Sequence, residues 1–276
     1  MAHGSDQARR APRKWLGLAA GCIVVFALAA GAWHFITQYD RLAQLIKTDP
    51  GSIPEDPELE SFAIAYAQPV YDRRCAACHG DHMQGDKSRG IPGFSGKRWL
   101  YGEGQVAQIE RTILYGIRSG NPKGWNLADM PGFGLPNPYK RYQIPSLEPG
   151  EIRDVIEFLL VSGHNPGDRE AAARGAKIFA DKGQCFDCHS GDAQGDAAIG
   201  APNLIDGNWL YGSGTRQDLT DTITRGRSGV CPAFVNEFSA STIRALAVLI
   251  YARSHPQAAD KTAAAQPPGP GTGTGG

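Results

Sequence analysis

Methionine is scarce in this chain of 276 residues. It occurs only at positions 1, 83 and 130, so everything after Met130 lacks a thioether side chain to offer a metal. An excess of charge is missing as well, because 28 Lys and Arg residues balance 28 Asp and Glu residues. This neutral balance points to neither a nucleic acid nor an acidic substrate as a partner.

Charged side chains are also missing from residues 15–39, which contain no Asp, Glu, Lys or Arg. About 20 apolar residues cross a bilayer, so this segment is predicted to be a transmembrane anchor. Four basic residues precede it, at positions 9, 10, 13 and 14, and by the positive-inside rule they hold residues 1–14 in the cytoplasm. We therefore expect a single-pass protein of a bacterial inner membrane whose remainder is periplasmic. A cleaved signal peptide ending near residue 29 is the alternative, and it exports the same remainder.

The exported part consists of one unit used twice. The stretch CAACH at 75–79 returns as CFDCH at 185–189, and WLYG at 99–102 returns at 209–212. A constant offset of 110 residues relates both pairs, which identifies an internal repeat. The segment that ends each copy has apolar residues at helical spacing.

The repeat sets the predicted boundaries. Pro and Gly in the stretch NPGDRE break the chain between the copies, and the C-terminal tail is too poor in apolar residues to fold, so we expect it to be disordered. The predicted segments are a linker at 40–60, a first domain at 61–164, a connection at 165–170, a second domain at 171–255 and a tail at 256–276.

Both signatures have the C-x-x-C-H spacing that attaches c-type haem. Two cysteines on one helical turn each bond a vinyl group, and the adjacent histidine projects its imidazole at the iron. A zinc site would require the two cysteine pairs to meet and would leave both histidines unexplained. The sequence therefore predicts two covalently bound haem c groups. The predicted attachment and proximal residues are Cys75, Cys78 and His79 in the first copy and Cys185, Cys188 and His189 in the second.

An iron that only carries electrons favours a sixth ligand, and Met130 is the methionine placed to reach the first haem. Met83 follows His79 too closely to reach the opposite face, and residue 1 lies across the membrane. In the second copy Cys231 stands directly before a proline, as Met130 does. Four alternatives remain there: Cys231 as a thiolate ligand, His255 or another side chain, an open site, or a free Cys231 thiol beside a five-coordinate iron. A thiolate stabilises ferric iron, so we expect a Cys231-ligated second haem to pass electrons to the first.

Taken together, the C-x-x-C-H signature, GAPNL, WLYG, GRSG, a sulfur–Pro–Ala stretch and a closing helix resemble the diheme cytochrome c subunit of cbb-type (C-family) haem–copper oxidases. The resemblance implies an all-α fold, with an N-terminal transmembrane helix followed by two tandem class I cytochrome c domains. It also implies that the carbonyls of Pro92 and Pro202 accept hydrogen bonds from the proximal imidazoles. This chain departs from the family where the acidic, tryptophan-containing stretch before the anchor is missing, and where Cys231 replaces methionine.

The resemblance implies electron transfer from a soluble periplasmic cytochrome c to an oxygen-reducing subunit, without catalysis by this chain itself. Membrane oxidase or dehydrogenase subunits, and lipid around the anchor, are the other expected partners; nucleic acid is not expected. The alternatives are an electron-accepting subunit of a periplasmic dehydrogenase, a redox enzyme acting on sulfur compounds at a Cys231-ligated haem, and a gas sensor.

Two pairs of repeated side chains are further candidates for contact with haem. Trp99 and Trp209 are predicted to pack on the porphyrin or to hold a propionate. Arg118 and Arg227 follow equivalent glycines and are expected either to pair with propionates or to be solvated.

Overall fold

The computed structural model describes residues 11–94, 99–136 and 145–256, with side chains from Ala20 onward. The predicted tail after residue 256 and residues 1–10 lie outside the described residues. Helices and isolated β-bridges occur within those three ranges, but no β-strand does, which agrees with the all-α prediction. The chain divides into two compact units between Thr48 and Asp49. The helices in chain order are α1 (Ala11–Lys47), a 3-10 helix (Pro50–Glu55), α2 (Pro57–Arg74), α3 (Ala76–His79), α4 (Val106–Tyr115), α5 (Pro149–Ser162), α6 (Arg169–Ala180), α7 (Phe186–His189), α8 (Arg216–Arg225) and α9 (Ala240–Ser254).

The first unit is built on α1, whose stretch Ala20–Lys47 is long and apolar enough to cross a membrane. At 1.5 Å per residue its 28 residues extend about 42 Å, against a hydrocarbon core of ~30 Å. Ile23, Phe26 and Trp33 are 69%, 77% and 72% exposed, and a helix that is apolar on all sides suits lipid. The predicted anchor at 15–39 is therefore helical, and its helix continues to Lys47, into the predicted linker.

Caps and glycines set the helix ends alike in both copies of the repeat. The carboxylates of Asp56 and Asp168 each accept hydrogen bonds from two N–H groups in the first turn of α2 and α6. Such caps satisfy donors that have no partner within the helix. α4 and α8 both end at a glycine in the left-handed region, Gly116 at φ 71° and Gly226 at φ 73°. The repeated sequence thus forms the same local structure twice.

The helix that ends each copy packs on the other copy. α5 lies along α6 and contacts α8, whereas α9 packs against α2 and α4. The last helix of the first copy therefore completes the second copy, and the last helix of the second completes the first. Both predicted apolar faces are buried by this packing. Their residues are Ile152, Val155, Ile156, Leu159 and Leu160 on α5, and Ile243, Leu246, Leu249 and Ile250 on α9.

Ion pairs join the same elements. Three acidic residues, spaced by three along α5, each bind a basic residue of the second copy. The pairs are Glu151–Lys182, Asp154–Arg174 and Glu157–Arg216, at 2.6, 2.7 and 2.6 Å. On the other side, Arg244 of α9 binds Glu110 of α4 at 2.6 Å, with side chains only 12% and 16% exposed. Exposed pairs contribute about 0–1 kcal/mol each, so the apolar faces supply most of the stability and the charges select the partner.

Backbone hydrogen bonds between the copies come in matched pairs. The N–H of Gly102 donates to the carbonyl of Ala197, and the N–H of Gly212 donates to the carbonyl of Lys87, both at 3.0 Å. These are one contact viewed from either copy, since 110 residues separate Gly102 from Gly212 and Lys87 from Ala197. Such reciprocity indicates an interface with an approximate twofold axis.

The loops that contain the two sulfur residues follow the same rule. We call residues 127–135 the Met130 loop and residues 228–236 the Cys231 loop. Met130 exchanges two backbone hydrogen bonds of 2.9 Å with Arg227, and Cys231 exchanges bonds of 3.0 and 2.9 Å with Ile117. Each loop is therefore paired with the copy to which it does not belong.

Two glycines allow the copies to approach closely. A Cβ added to Gly200 would overlap the ring of Tyr101, and one added to Gly90 would overlap the ring of Tyr211. Both glycines also have left-handed φ angles, 78° and 68° respectively. Glycine is needed at these positions for backbone conformation and for space.

We expect Gly200→Ala to lower the free energy of unfolding of the haem-loaded protein by more than Gly207→Ala does. Gly207 has a φ of 75°, close to that of Gly200, but no atom lies within 4 Å of its added Cβ. Gly207→Ala therefore measures left-handed strain alone, about 1–2 kcal/mol, whereas Gly200→Ala adds an overlap that costs roughly 1–3 kcal/mol more. Denaturant unfolding monitored by circular dichroism gives both values, and equal losses would contradict the close contact with Tyr101.

Candidate haem sites

Each signature folds as a short helix directly after a long one. The N–H of Cys75 bonds the carbonyl of Tyr71 at 2.8 Å as α2 ends, and the N–H of Cys78 bonds the carbonyl of Cys75 at 3.1 Å. In the second copy the N–H of Cys188 bonds the carbonyl of Cys185 at 3.3 Å. The thiols of each pair thus lie one turn apart, as attachment to two vinyl groups of one porphyrin requires, and all are free of disulfides.

Both proximal imidazoles are held by a proline carbonyl. His79 Nδ1 lies 2.9 Å from the Pro92 carbonyl oxygen, and His189 Nδ1 lies 3.0 Å from that of Pro202. A carbonyl only accepts, so each Nδ1 bears the proton and each Nε2 keeps a lone pair for iron. Burial lowers the pKa of both histidines, opposed in part by the bond to the carbonyl. The imidazoles are therefore neutral at physiological pH, which is the form that binds metal.

A buried indole in the first copy lacks a hydrogen-bond acceptor. Trp99 Nε1 is buried and makes no hydrogen bond, although buried indole N–H groups normally find a partner. Phe94 stacks on both His79 and Trp99, with ring centroids 4.4 and 6.1 Å apart, so this N–H belongs to the surroundings of the first histidine. A haem propionate is a carboxylate acceptor at the porphyrin edge, and the unpartnered N–H fits one.

The indoles are placed alike in both copies. A Cβ added to Gly104 would overlap Nε1 of Trp99, and one added to Gly214 would overlap Nε1 of Trp209. Glycine at each position therefore lets the backbone pass directly over the indole N–H.

Met130 lies with the second signature. It packs against the apolar cluster that includes Phe179 and Ile223, on which Cys185 and Trp209 also pack. Position along the first copy placed Met130 with the first haem. The structure differs because the Met130 loop is bonded to the second copy.

Cys231 correspondingly lies with the first signature. Burial raises the pKa of the Cys231 thiol to about 11, and the charge of Cys78 contributes to the rise. The pKa of Cys75 is likewise raised to about 11, first by burial and then by the charge on Cys231. The sequence expectation that Cys231 serves the second haem is thus reversed in location. His255 ends α9, which packs on the first copy, and its Nδ1 lies 3.0 Å from the Tyr251 carbonyl oxygen.

Arg118 has a position that sequence analysis missed. Its Nε donates to the Gly229 carbonyl at 2.6 Å, and its Nη1 donates to the Ala128 carbonyl at 2.8 Å and the Tyr101 hydroxyl at 3.0 Å. Gly229 belongs to the Cys231 loop and Ala128 to the Met130 loop, so one guanidinium joins both loops. Its counterpart Arg227 instead donates to the Thr222 hydroxyl at 3.1 and 2.7 Å. The repeat makes the two arginines equivalent in sequence, and no local signal distinguishes them.

Comparison with known proteins agrees with this geometry. The cytochrome c family matches residues 64–162, and the family described as cytochrome c oxidase, cbb3-type, subunit III matches residues 170–250. The cbb3-type cytochrome c oxidase subunit FixP of Bradyrhizobium sp. (strain ORS 278) is 39% identical over 77% of this chain and 68% of its own length. Subunit CcoP of Cereibacter sphaeroides is 34% identical, over 75% of this chain and 67% of its own.

The chain belongs to the CcoP/FixP family of cbb3-type oxidase subunits. It spans about two thirds of the length of these relatives, 68% and 67%. Family membership confirms the resemblance, the tandem cytochrome c domains and the pair of covalently bound haem c groups. A chain of the Kuenenia stuttgartiensis reducing HAO-like protein complex covers 68% of this chain and 96% of its own at 19% identity, but its TM-score of 0.19 carries no argument.

We expect Trp99→Phe to lower the reduction potential of one haem and to leave the other unchanged. Without the indole N–H the propionate charge near the iron is less compensated, which favours the ferric state. Trp125→Phe is the matched control, because Trp125 Nε1 already donates to the Thr112 hydroxyl at 3.0 Å. Redox titration of the full haem-loaded chain measures both potentials. An unchanged titration in Trp99→Phe, or an equal shift in the control, would contradict a propionate contact at Trp99.

Proposed function

We propose that this subunit carries electrons from a soluble periplasmic cytochrome c to the oxygen-reducing subunit of a cbb3-type oxidase, and that it catalyses no reaction by itself. The observation that carries the proposal is the pair of buried neutral imidazoles, each held by a proline carbonyl beside a C-x-x-C turn. Ligands held this firmly favour an iron that changes charge with little rearrangement, as a carrier requires.

The surroundings of Cys231 favour a carrier over a redox enzyme acting on sulfur compounds. Such an enzyme needs a proton donor or acceptor near the reacting sulfur. Glu237 is the one acidic residue in the stretch 226–238, and it is already engaged in an ion pair with Arg74.

We further propose that α1 lies in the inner membrane with residues 1–14 in the cytoplasm and both haem domains in the periplasm. The basic residues at positions 9, 10, 13 and 14 precede the apolar helix, and short loops rich in Lys and Arg stay on the cytoplasmic side.

Electron transfer is tested by oxygen uptake in membranes that contain the catalytic subunit. With Cys185→Ala/Cys188→Ala, we expect haem content measured as the pyridine haemochrome to halve and oxygen uptake driven by reduced soluble cytochrome c to be lost. Cys22→Ala is the matched control, since Cys22 lies on α1 outside both signatures, and it should change neither quantity. Undiminished uptake in the double variant would contradict the proposal, as would turnover of thiosulfate or sulfite by the isolated chain.

Orientation is tested by fusing alkaline phosphatase, which is active only in the periplasm, after residue 256. We expect an active fusion. Replacing the four basic residues before α1 with glutamate should lower the activity, because the positive charge that retains the N-terminus is removed. An inactive fusion of the unaltered chain, present in full length in the membrane, would contradict the proposed orientation.

A further inference from the structure

Each sulfur loop is attached to a helix of the opposite copy by bonds beyond those of the sulfur residue itself. In the Cys231 loop, Phe234 and Val235 donate backbone hydrogen bonds to α4. In the Met130 loop, Phe133 and Gly134 donate the equivalent bonds to α8. The contacts are Phe234–Ile113 at 3.0 Å, Val235–Leu114 at 3.1 Å, Phe133–Ile223 at 2.9 Å and Gly134–Thr224 at 3.1 Å. The acceptors again lie 110 residues apart, so both loops are docked in the same way.

Glycines at the ends of α4 and α8 allow this docking. A Cβ added to Gly116 would overlap the Cys231 carbonyl, and one added to Gly226 would overlap the Met130 carbonyl. The backbone of each sulfur residue therefore lies directly against the last turn of a helix in the other copy.

The different lengths of the two copies do not disturb the arrangement. Nine extra residues separate Met130 from its signature, compared with Cys231. The chain takes them up by folding back, with the N–H of Trp125 on the Gly116 carbonyl and the N–H of Arg118 on the Trp125 carbonyl, both at 3.0 Å. Both sulfur residues consequently reach equivalent places at the interface.

We propose that the two haems take their sixth ligands from opposite copies: Cys231 binds the iron held by His79, and Met130 binds the iron held by His189. This inference rests on the proposed function as a carrier of two haems. It follows from where each loop is docked, and it uses every residue in the position that the backbone already gives it.

The exchange fixes the direction of electron flow within the subunit. When Cys231 sulfur bonds the iron, its thiol proton passes to water, and the resulting thiolate stabilises the ferric state. Methionine favours the ferrous state instead. One electron therefore leaves the ferrous iron held by His79 and reduces the ferric iron held by His189. Flow runs from the first signature to the second, opposite to the order expected from sequence.

The test isolates each haem in the full-length chain. Cys185→Ala/Cys188→Ala retains the haem of His79 and should show the electron paramagnetic resonance signals of thiolate-ligated low-spin ferric haem, which the added change Cys231→Met should abolish. Cys75→Ala/Cys78→Ala retains the haem of His189 and should show the methionine-to-iron charge-transfer band, which Met130→Ala should abolish. Thiolate signals in Cys75→Ala/Cys78→Ala, or none in either double variant, would overturn the exchange. Absence of covalent haem from both would overturn the carrier function instead.

A second measurement keeps both haems and both signatures. Because Trp99 belongs to the surroundings of His79, Trp99→Phe should shift the lower-potential step of the redox titration, which Cys231→Met should raise. A shift confined to the higher-potential step would assign Met130 to the haem of His79 and overturn the proposal, even if the single-haem variants failed to fold.

Discussion

The reciprocal bonding of the sulfur loops is the constraint on which the rest of the second unit depends. Met130 pairs with Arg227 and Cys231 pairs with Ile117 through two backbone hydrogen bonds each. These bonds place each loop, and the closing helix that follows it, on the other copy. Neither signature is enclosed by its own copy alone, so the two cytochrome c domains are expected to fold and bind haem as one cooperative unit.

Much of the site was predictable from sequence, because its chemistry is local. The C-x-x-C-H spacing identified both signatures, and periodicity identified the faces of α5 and α9 that the structure buries. The exchange was not predicted, because a repeat makes equivalent positions interchangeable. An apolar face that fits one copy fits the other nearly as well. One signal was available: only six residues separate Ser162 from Arg169, and helices joined by so short a connection usually pack as antiparallel neighbours. That rule favours α5 on α6, and hence on the second copy.

Charge resolves the ambiguity that the apolar faces leave. The acidic side chains of α5 face basic partners on the second copy, whereas Arg244 of α9 faces Glu110 of the first. With a base on α9 opposite an acid, and acids on α5 opposite bases, each closing helix discriminates between two similar grooves. Such complementarity adds little stability where it is exposed, yet it penalises the alternative pairing through like charges.

An approximate twofold axis by itself would give two equivalent haem sites and no preferred direction for electrons. Two side chains break that symmetry in this chain. Cys231 stands opposite Met130, and Arg118 bonds the carbonyls of both sulfur loops while Arg227 bonds its own helix. The arginine makes the positions of the two loops interdependent, so a change of ligand at one iron is transmitted to the backbone beside the other. A symmetrical scaffold thus acquires direction through one exchange of sulfur type, and the single guanidinium that joins the loops couples the two sites.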